Sequence, residues 1–251
     1  MKTALITGAS SGIGRDIARE LSARGWRLLL VARRRDRLEE LARELHTPCR
    51  IYVCDVSSEK NCRWLYERAK EQDVSLLVNG AGFGLYGRFA ETDLDRELEM
   101  IDVNIRAVHI LTKLFLRDFM AKNEGRILNI ASSAGFLPGP LLSTYYATKN
   151  YVVRLSEAIY EELRADGSAV TISCLCPGPV DTEFNQVAGV QFGIDSLSSE
   201  QVAGEAVEQT LRGKLLIVPG TMMKLGTAAA RFVPEKPLLR IVRGIQMRKG
   251  G

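Results

Sequence analysis

The sequence predicts an α/β fold, a doubly wound parallel sheet with helices on both faces. Three observations carry this. Short apolar runs alternate with amphipathic segments along most of the chain, the pattern of strands joined by crossover helices. The first run ends in a glycine-rich loop, Thr7-Gly8-Ala9-Ser10-Ser11-Gly12-Ile13-Gly14, which opens a helical segment. No repeat, low-complexity tract or linker interrupts the 251 residues. One domain, 1–251, is therefore expected, with a loop region at 183–211 and a C-terminal segment at 220–251 inside it.

Each element follows from its pattern. Lys2–Thr7 is an apolar run and the first strand. Gly12–Arg24 has helical spacing at Ile13, Ile17, Ala18 and Leu21, and Gly25 is placed to end it. Arg27–Val31 is the second strand, Arg35–Leu45 a charged helix striped by Leu38, Leu41 and Leu45, and Arg50–Cys54 the third strand. A helix over Ser58–Gln72 and a strand at Ser75–Val78 follow. Thr92–Met120 reads as a long helical stretch, or as two helices meeting near Asn104. Arg126–Ile130, Tyr145–Asp166 and Ala169–Cys176 repeat the strand–helix–strand theme, and Leu215–Val218 is the last strand. Pro177–Ser199 lacks periodicity, and an irregular stretch that long is usually functional.

The loop after the first strand is built for an anion. Gly8 allows a sharp turn, Gly12 removes a side chain where a diphosphate approaches the helix N-terminus, and Gly14 lets helix and strand pack closely. Free N–H groups and the helix dipole favour negative charge there. In a dinucleotide fold the end of the second strand selects the nucleotide, an acid binding the ribose 2′-hydroxyl and an arginine accommodating a 2′-phosphate. Here the chain reads Ala32-Arg33-Arg34, so NADP (NADPH) is the expected cofactor. Asp55 closes the third strand, either to accept from an adenine amino group or as a turn residue.

Tyr145 and Lys149 lie four apart at the head of a helical segment, which sets a phenol beside an ammonium on one face. A neighbouring cation is expected to lower the phenol's pKa toward the working range of an acid–base group. Ser132, just past an apolar strand, could hydrogen-bond the same substrate oxygen. Tyr66 and Lys70 repeat the spacing, but Val53 stands where a serine would be needed.

Taken together, these motifs resemble the short-chain dehydrogenase/reductase family over nearly the whole chain. Thr7–Gly14 matches its cofactor loop, Asp55-Val56 its adenine contact, and Asn79-Gly80-Ala81-Gly82 its Asn-Asn-Ala-Gly motif with Gly80 in place of the second asparagine. Pro177-Gly178-Pro179-Val180-Asp181-Thr182 resembles the segment holding the nicotinamide end. The resemblance implies a Rossmann-type sheet of about seven strands. It implies Ser132, Tyr145, Lys149 and Asn104 as the catalytic set. Tyr145 would donate a proton, Ser132 polarise the substrate oxygen, Lys149 lower the phenol's pKa and hold the nicotinamide ribose, and Asn104 keep a water chain to solvent. Gly8, Ser10, Ser11, Gly12, Ile13, Gly14, Arg33, Arg34, Asp55, Val56, Asn79, Ala81, Gly82, Pro177, Val180 and Thr182, with Tyr145 and Lys149, would bind the cofactor. A homodimer or homotetramer built on the two long helices is also implied. The competing reading is a non-catalytic NADP-binding regulator or scaffold.

Composition narrows the rest. Hydrophobic residues make up 46% and charged residues 25%, ordinary for a globular chain. Ile127–Thr148 is uncharged over 22 residues, but its prolines, glycines and hydroxyls argue against a transmembrane span. Five cysteines without a Cys-x-x-Cys pair, and only two histidines, point to reduced thiols in a cytoplasmic protein without a metal site. Nothing suggests nucleic acid as a partner. From Arg212 onward nine Lys/Arg face one acid, so the rest of the chain carries net −4 against a total of +4. Such a tail suits an acidic substrate, a partner, a membrane surface or simply a solvated rim. Phe184, Val187, Val190, Phe192 and Ile194, then Met222, Met223, Leu225 and Phe232, either wall a site for a lipophilic carbonyl or alcohol or serve as core and subunit contacts.

Overall fold

Alternation along the strands decides how the chain layers. In a strand, successive side chains point to opposite faces. Leu5, Leu29, Val31, Leu77, Ile127 and Ile172 join one buried cluster, while Ala4, Ile6, Leu28, Leu30, Leu76, Val78 and Leu128 join another. Both faces must therefore be covered by helices, which is why these strands read as continuous apolar runs.

The computed structural model describes residues 1–189, 197–230 and 232–247. In chain order the first half comprises β1 (Thr3–Thr7), α1 (Gly12–Ala23), β2 (Arg27–Ala32), α2 (Arg35–Glu44), β3 (Cys49–Val53), α3 (Glu59–Lys70), β4 (Val74–Asn79) and α4 (Leu94–Ile101). A π-helical turn, Asp102–Ala107, runs into α5 (Val108–Lys122). Then come β5 (Arg126–Ile130), a 3-10 turn Ser133–Phe136, α6 (Ser143–Ala165), β6 (Thr171–Leu175), α7 (Glu183–Ala188), α8 (Ser199–Leu211), β7 (Leu216–Ile217), α9 (Thr221–Ala230) and α10 (Glu235–Met247).

The strands form a parallel seven-stranded sheet in the order β3-β2-β1-β4-β5-β6-β7. Leu65 of α3, Phe115 of α5 and Leu163 of α6 belong to the cluster on one face, and Ile17 of α1, Leu38 of α2 and Val202 of α8 to that on the other. A fully buried leucine contributes roughly 1.5–3 kcal/mol, so these clusters hold the helices in place. The order reverses between β1 and β4, and in such sheets a ligand crevice opens at the carboxyl ends of the strands at that point.

Local chemistry sets the boundaries. Ser58, Asp93 and Ser198 cap α3, α4 and α8 through their side chains. The expected long helix is two helices joined through the π-helical turn that contains Asn104. A π turn adds a residue to the helical repeat and so re-aims the side chains around it. Pro177–Ser199 is not wholly irregular, because Thr182 accepts from the Phe184 N–H and starts α7.

Candidate active site

The loops after β1 to β6 converge on one cleft of about 410 Å³, within the range of small-molecule sites. On its floor Gly8 has φ +71° and Gly12 φ +53°, backbone that favours glycine. A Cβ on Gly8 would lie 2.7 Å from the Gly80 and Ala81 backbone, and one on Gly14 2.5 Å from the Gly8 carbonyl oxygen. Thr7 ties the two floor loops together, its Oγ1 accepting from the N–H groups of Gly80 at 3.0 Å and Ala81 at 3.2 Å.

Helix α1 begins at this floor with no side-chain cap and no acid in its first turn. Its first N–H groups lack intrahelical partners, and Gly12, Ile13 and Gly14 all line the cleft. An uncapped helix start beside a glycine floor fits a diphosphate.

At the mouth of the cleft stand the two arginines after β2, each already facing a carboxylate. Arg34 donates to Glu183 at 2.8 Å and to Ser10 Oγ at 3.2 Å. Arg33 donates to Glu99 at 3.1 Å and lies 4.0 Å from Asp55. The guanidinium of Arg34 holds the Glu183 carboxyl below its ordinary range. Asp55 also accepts from the Ser57 N–H at 3.0 Å.

The other end of the cleft gathers Ser132, Tyr145 and Lys149. The strand pairing continues past β5 and β6: Ala131 donates to Leu175 O and Ser133 to Pro177 O, each at 2.8 Å. This fixes Ser132 beside the Pro177 segment. Tyr145 is buried, its ring centroid 5.2 Å from that of Phe184. Burial pushes its phenol well up, and a hydrogen bond with Ser132 partly opposes this. Lys149 is buried too and donates to Ile130 O at 2.9 Å, its Nζ 5.8 Å from the Tyr145 ring centroid. Burial lowers its pKa to about 8, against the pull of Cys174 and Cys176.

This corrects one expectation. The lysine was expected to lower the phenol's pKa, yet desolvation dominates and keeps Tyr145 protonated at neutral pH. The matching pair on α3 has another environment. Tyr66 donates to Asp118 at 2.8 Å and its pKa rises to about 12, while Lys70 pairs with Glu67, and neither lines the cleft.

Residues 2–191 match the family model described as short chain dehydrogenase. The chain belongs to the short-chain dehydrogenase/reductase family. Mouse estradiol 17-beta-dehydrogenase 11 is 33% identical over 238 residues, spanning 92% of this chain and 80% of the mouse protein. A short-chain dehydrogenase from Sphingobium yanoikuyae in complex with NADPH is 26% identical, with a TM-score of 0.81 over 94% of this chain and 97% of that one. A short-chain dehydrogenase/reductase from Burkholderia phymatum in complex with NAD, also 26% identical, superposes with a TM-score of 0.84 over 92% of each chain. This short-chain dehydrogenase/reductase is thus an oxidoreductase that takes a nicotinamide cofactor and acts on alcohols and carbonyls.

Within it, most residues expected to bind cofactor line the cleft: Gly8, Ser10, Ser11, Gly12, Ile13, Gly14, Arg33, Arg34, Asp55, Val56, Ala81, Gly82, Pro177, Val180 and Thr182. Asn79 does not. Its side chain turns into the core and donates to Thr112 and Asn129, at 3.0 and 2.9 Å. Asn104 stands behind the cleft wall, accepting from Phe83 N and donating to Phe83 O and Thr148 Oγ1. Phe184 and Val187 form part of the wall, whereas Met222, Leu225 and Phe232 are exposed and do not. Met223 packs over Gly178, which lines the cleft. Val190, Phe192 and Ile194 lie outside the described residues.

Several residues of the dehydrogenase's cleft escaped sequence reading. Arg96 of α4 stacks on the Phe83 ring at 4.1 Å and pairs with Glu99. Tyr146 accepts from Gln246, a hundred residues on in α10. Glu183 meets Arg34 across 149 residues. Arg96 and Glu99 have the local i,i+3 spacing of a helical ion pair, but no local pattern marks the contacts that join different elements; a charge count at the two lips could have raised only the last.

Proposed function

We propose that this chain is an NADP(H)-dependent reductase and dehydrogenase that interconverts a lipophilic ketone or aldehyde and its alcohol. The observation that carries the reading is the meeting of the Ser132 hydroxyl and the buried, protonated Tyr145 phenol at one end of a cleft whose other end is floored by an uncapped helix start.

A bound nicotinamide supplies the hydride in reduction. Tyr145 gives its proton to the carbonyl oxygen as that oxygen gains charge, and the high phenol pKa keeps the proton available at neutral pH. Ser132 holds the same oxygen by a hydrogen bond and so fixes the face presented. Lys149, still largely protonated at neutral pH, binds the cofactor ribose and stabilises the phenolate that remains. Asn104 positions these groups by clamping Phe83 and Thr148; Thr148 in turn donates to the Tyr145 carbonyl oxygen at 2.7 Å. Reprotonation of Tyr145 from solvent closes the cycle.

NADP rather than NAD is favoured by Arg33 and Arg34 at the position of the 2′ substituent. A lipophilic substrate is favoured by Phe184, Val187 and Leu142 in the wall, and by the steroid alcohol in the mouse relative's name. We place the protein in the cytoplasm as one domain, with α5 and α6 offering the faces for a homodimer or homotetramer. The test is a panel of lipophilic ketones and aldehydes, read by loss of NADPH absorbance. Tyr145→Phe should turn over none of them while still binding NADPH, and Tyr66→Phe should behave as wild type. An active Tyr145→Phe enzyme rejects the assignment.

A further inference from the structure

The carboxyl-terminal helices carry a surface that their seating does not explain. Helix α9 faces the body with Met223, against Gly178, and with buried Thr227. Helix α10 seats through Val242 and Gln246; Gln246 donates to Tyr146, and Tyr86 donates to the Gln246 carbonyl at 3.4 Å. Gly178 and Tyr146 line the cleft, so both helices sit over its substrate end.

A helix packed by one side normally turns polar residues to solvent on the other. These do not. Met222, Leu225 and Phe232 are 86%, 69% and 88% exposed, and Ile241, Ile245 and Met247 are exposed as well. Exposed Lys224, Lys236, Arg240 and Arg243 stand among them, and Glu235 is the single acid on the two helices. Large apolar side chains interleaved with long cationic ones suit the boundary between lipid headgroups and acyl chains. A protein partner would favour a face poor in lysine. Charge points the same way, since four cations against one acid leave these two helices net +3, whereas the chain before Arg212 carries net −4. Among the described residues no helix is long and apolar enough to cross a membrane, so contact through these helices is peripheral.

We infer that α9 and α10 dock the protein on an anionic lipid surface, apolar side chains in the acyl boundary and cations on the headgroups, with the substrate end of the cleft beside the layer. Delivery of substrate from that layer rests on the lipophilic-carbonyl reading above; the docking does not.

The test uses the full chain and vesicles of phosphatidylcholine, alone or mixed with phosphatidylglycerol. Binding to the mixed vesicles should be at least about tenfold tighter and should fall as salt rises. The pairs Met222→Glu/Phe232→Glu and Arg240→Glu/Arg243→Glu change exposed positions outside the cleft. Each should abolish vesicle binding while circular dichroism and cofactor affinity stay as in wild type. Equal binding to both vesicle types, binding to neither, or variants that bind like wild type overturn the inference. So does a dimer that the Met222→Glu/Phe232→Glu pair splits without vesicles, since the face then belongs to a second copy. A chain that docks but reduces no lipophilic carbonyl would leave docking intact and reject only the substrate reading.

Discussion

Glu183→Gln should tighten NADPH and leave NADH unchanged. Arg34 donates to Glu183 at 2.8 Å and to Ser10 at 3.2 Å, so an incoming 2′-phosphate competes with a resident carboxylate. Arg34 holds that carboxyl below its ordinary range, so the competition persists throughout neutral pH. The two side chains are 44% and 40% exposed, and such a pair contributes only about 0.2–1 kcal/mol. Removing the charge while keeping an oxygen acceptor should therefore strengthen NADPH binding about 1.4- to 5-fold. NADH presents a hydroxyl there and gains nothing. Arg34→Ala should act the other way, because a charge-assisted hydrogen bond is worth about 1.5–3 kcal/mol, a loss of roughly tenfold or more. Calorimetric titration of wild type and both variants with each cofactor, at low and moderate salt, gives the ratios directly. If Glu183→Gln weakens NADPH, or if the NADPH-to-NADH ratio ignores both changes, Arg34 does not hold the 2′-phosphate.

Three more outcomes are expected. Arg33→Asp should invert the ratio of catalytic efficiencies toward NADH; a ratio still favouring NADPH would clear Arg33 of the selection. Gly14→Ala should abolish binding of either cofactor, since its Cβ would meet the Gly8 carbonyl oxygen at 2.5 Å, and near-normal affinity in calorimetry would contradict this. Lys149→Met should be inactive but more stable at neutral pH. Burial takes the lysine from 10.5 to about 8, which costs about 3 kcal/mol while the group is charged. The lost bond to Ile130 O returns about 1 kcal/mol, so Tm should rise by about 4–8 °C. Between pH 8 and 10.5 the unfolded chain binds this proton more than the folded chain does. Wild-type stability therefore gains as pH rises through that window and the variant's advantage shrinks; a variant less stable than wild type at pH 7 would refute the cost.

The sequence by itself determined the sheet, the glycine floor and the pairing of Tyr145 with Lys149 on one helix face. Each rests on short-range rules. Strand burial shows as apolar runs, a helix start as a strand followed by glycines, and the Tyr145–Lys149 pair as one helical turn. Even the break near Asn104 left a trace, though its π-helical form did not. Tertiary structure decided what depends on contacts across the chain. Tyr145 and Tyr66 have the same spacing to lysine, yet only Tyr145 reaches the cleft, because one helix follows β5 at the site and the other packs Tyr66 against Asp118. The direction of the Tyr145 shift belongs here too: spacing supplies the cation, but burial sets the sign. Asn79 follows the family motif in sequence and still points into the core. Glu99 and Glu183, which hold the two arginines, come from helices far along the chain. Such couplings arise when separate loops meet at the carboxyl edge of the sheet, and no window of the sequence contains both partners.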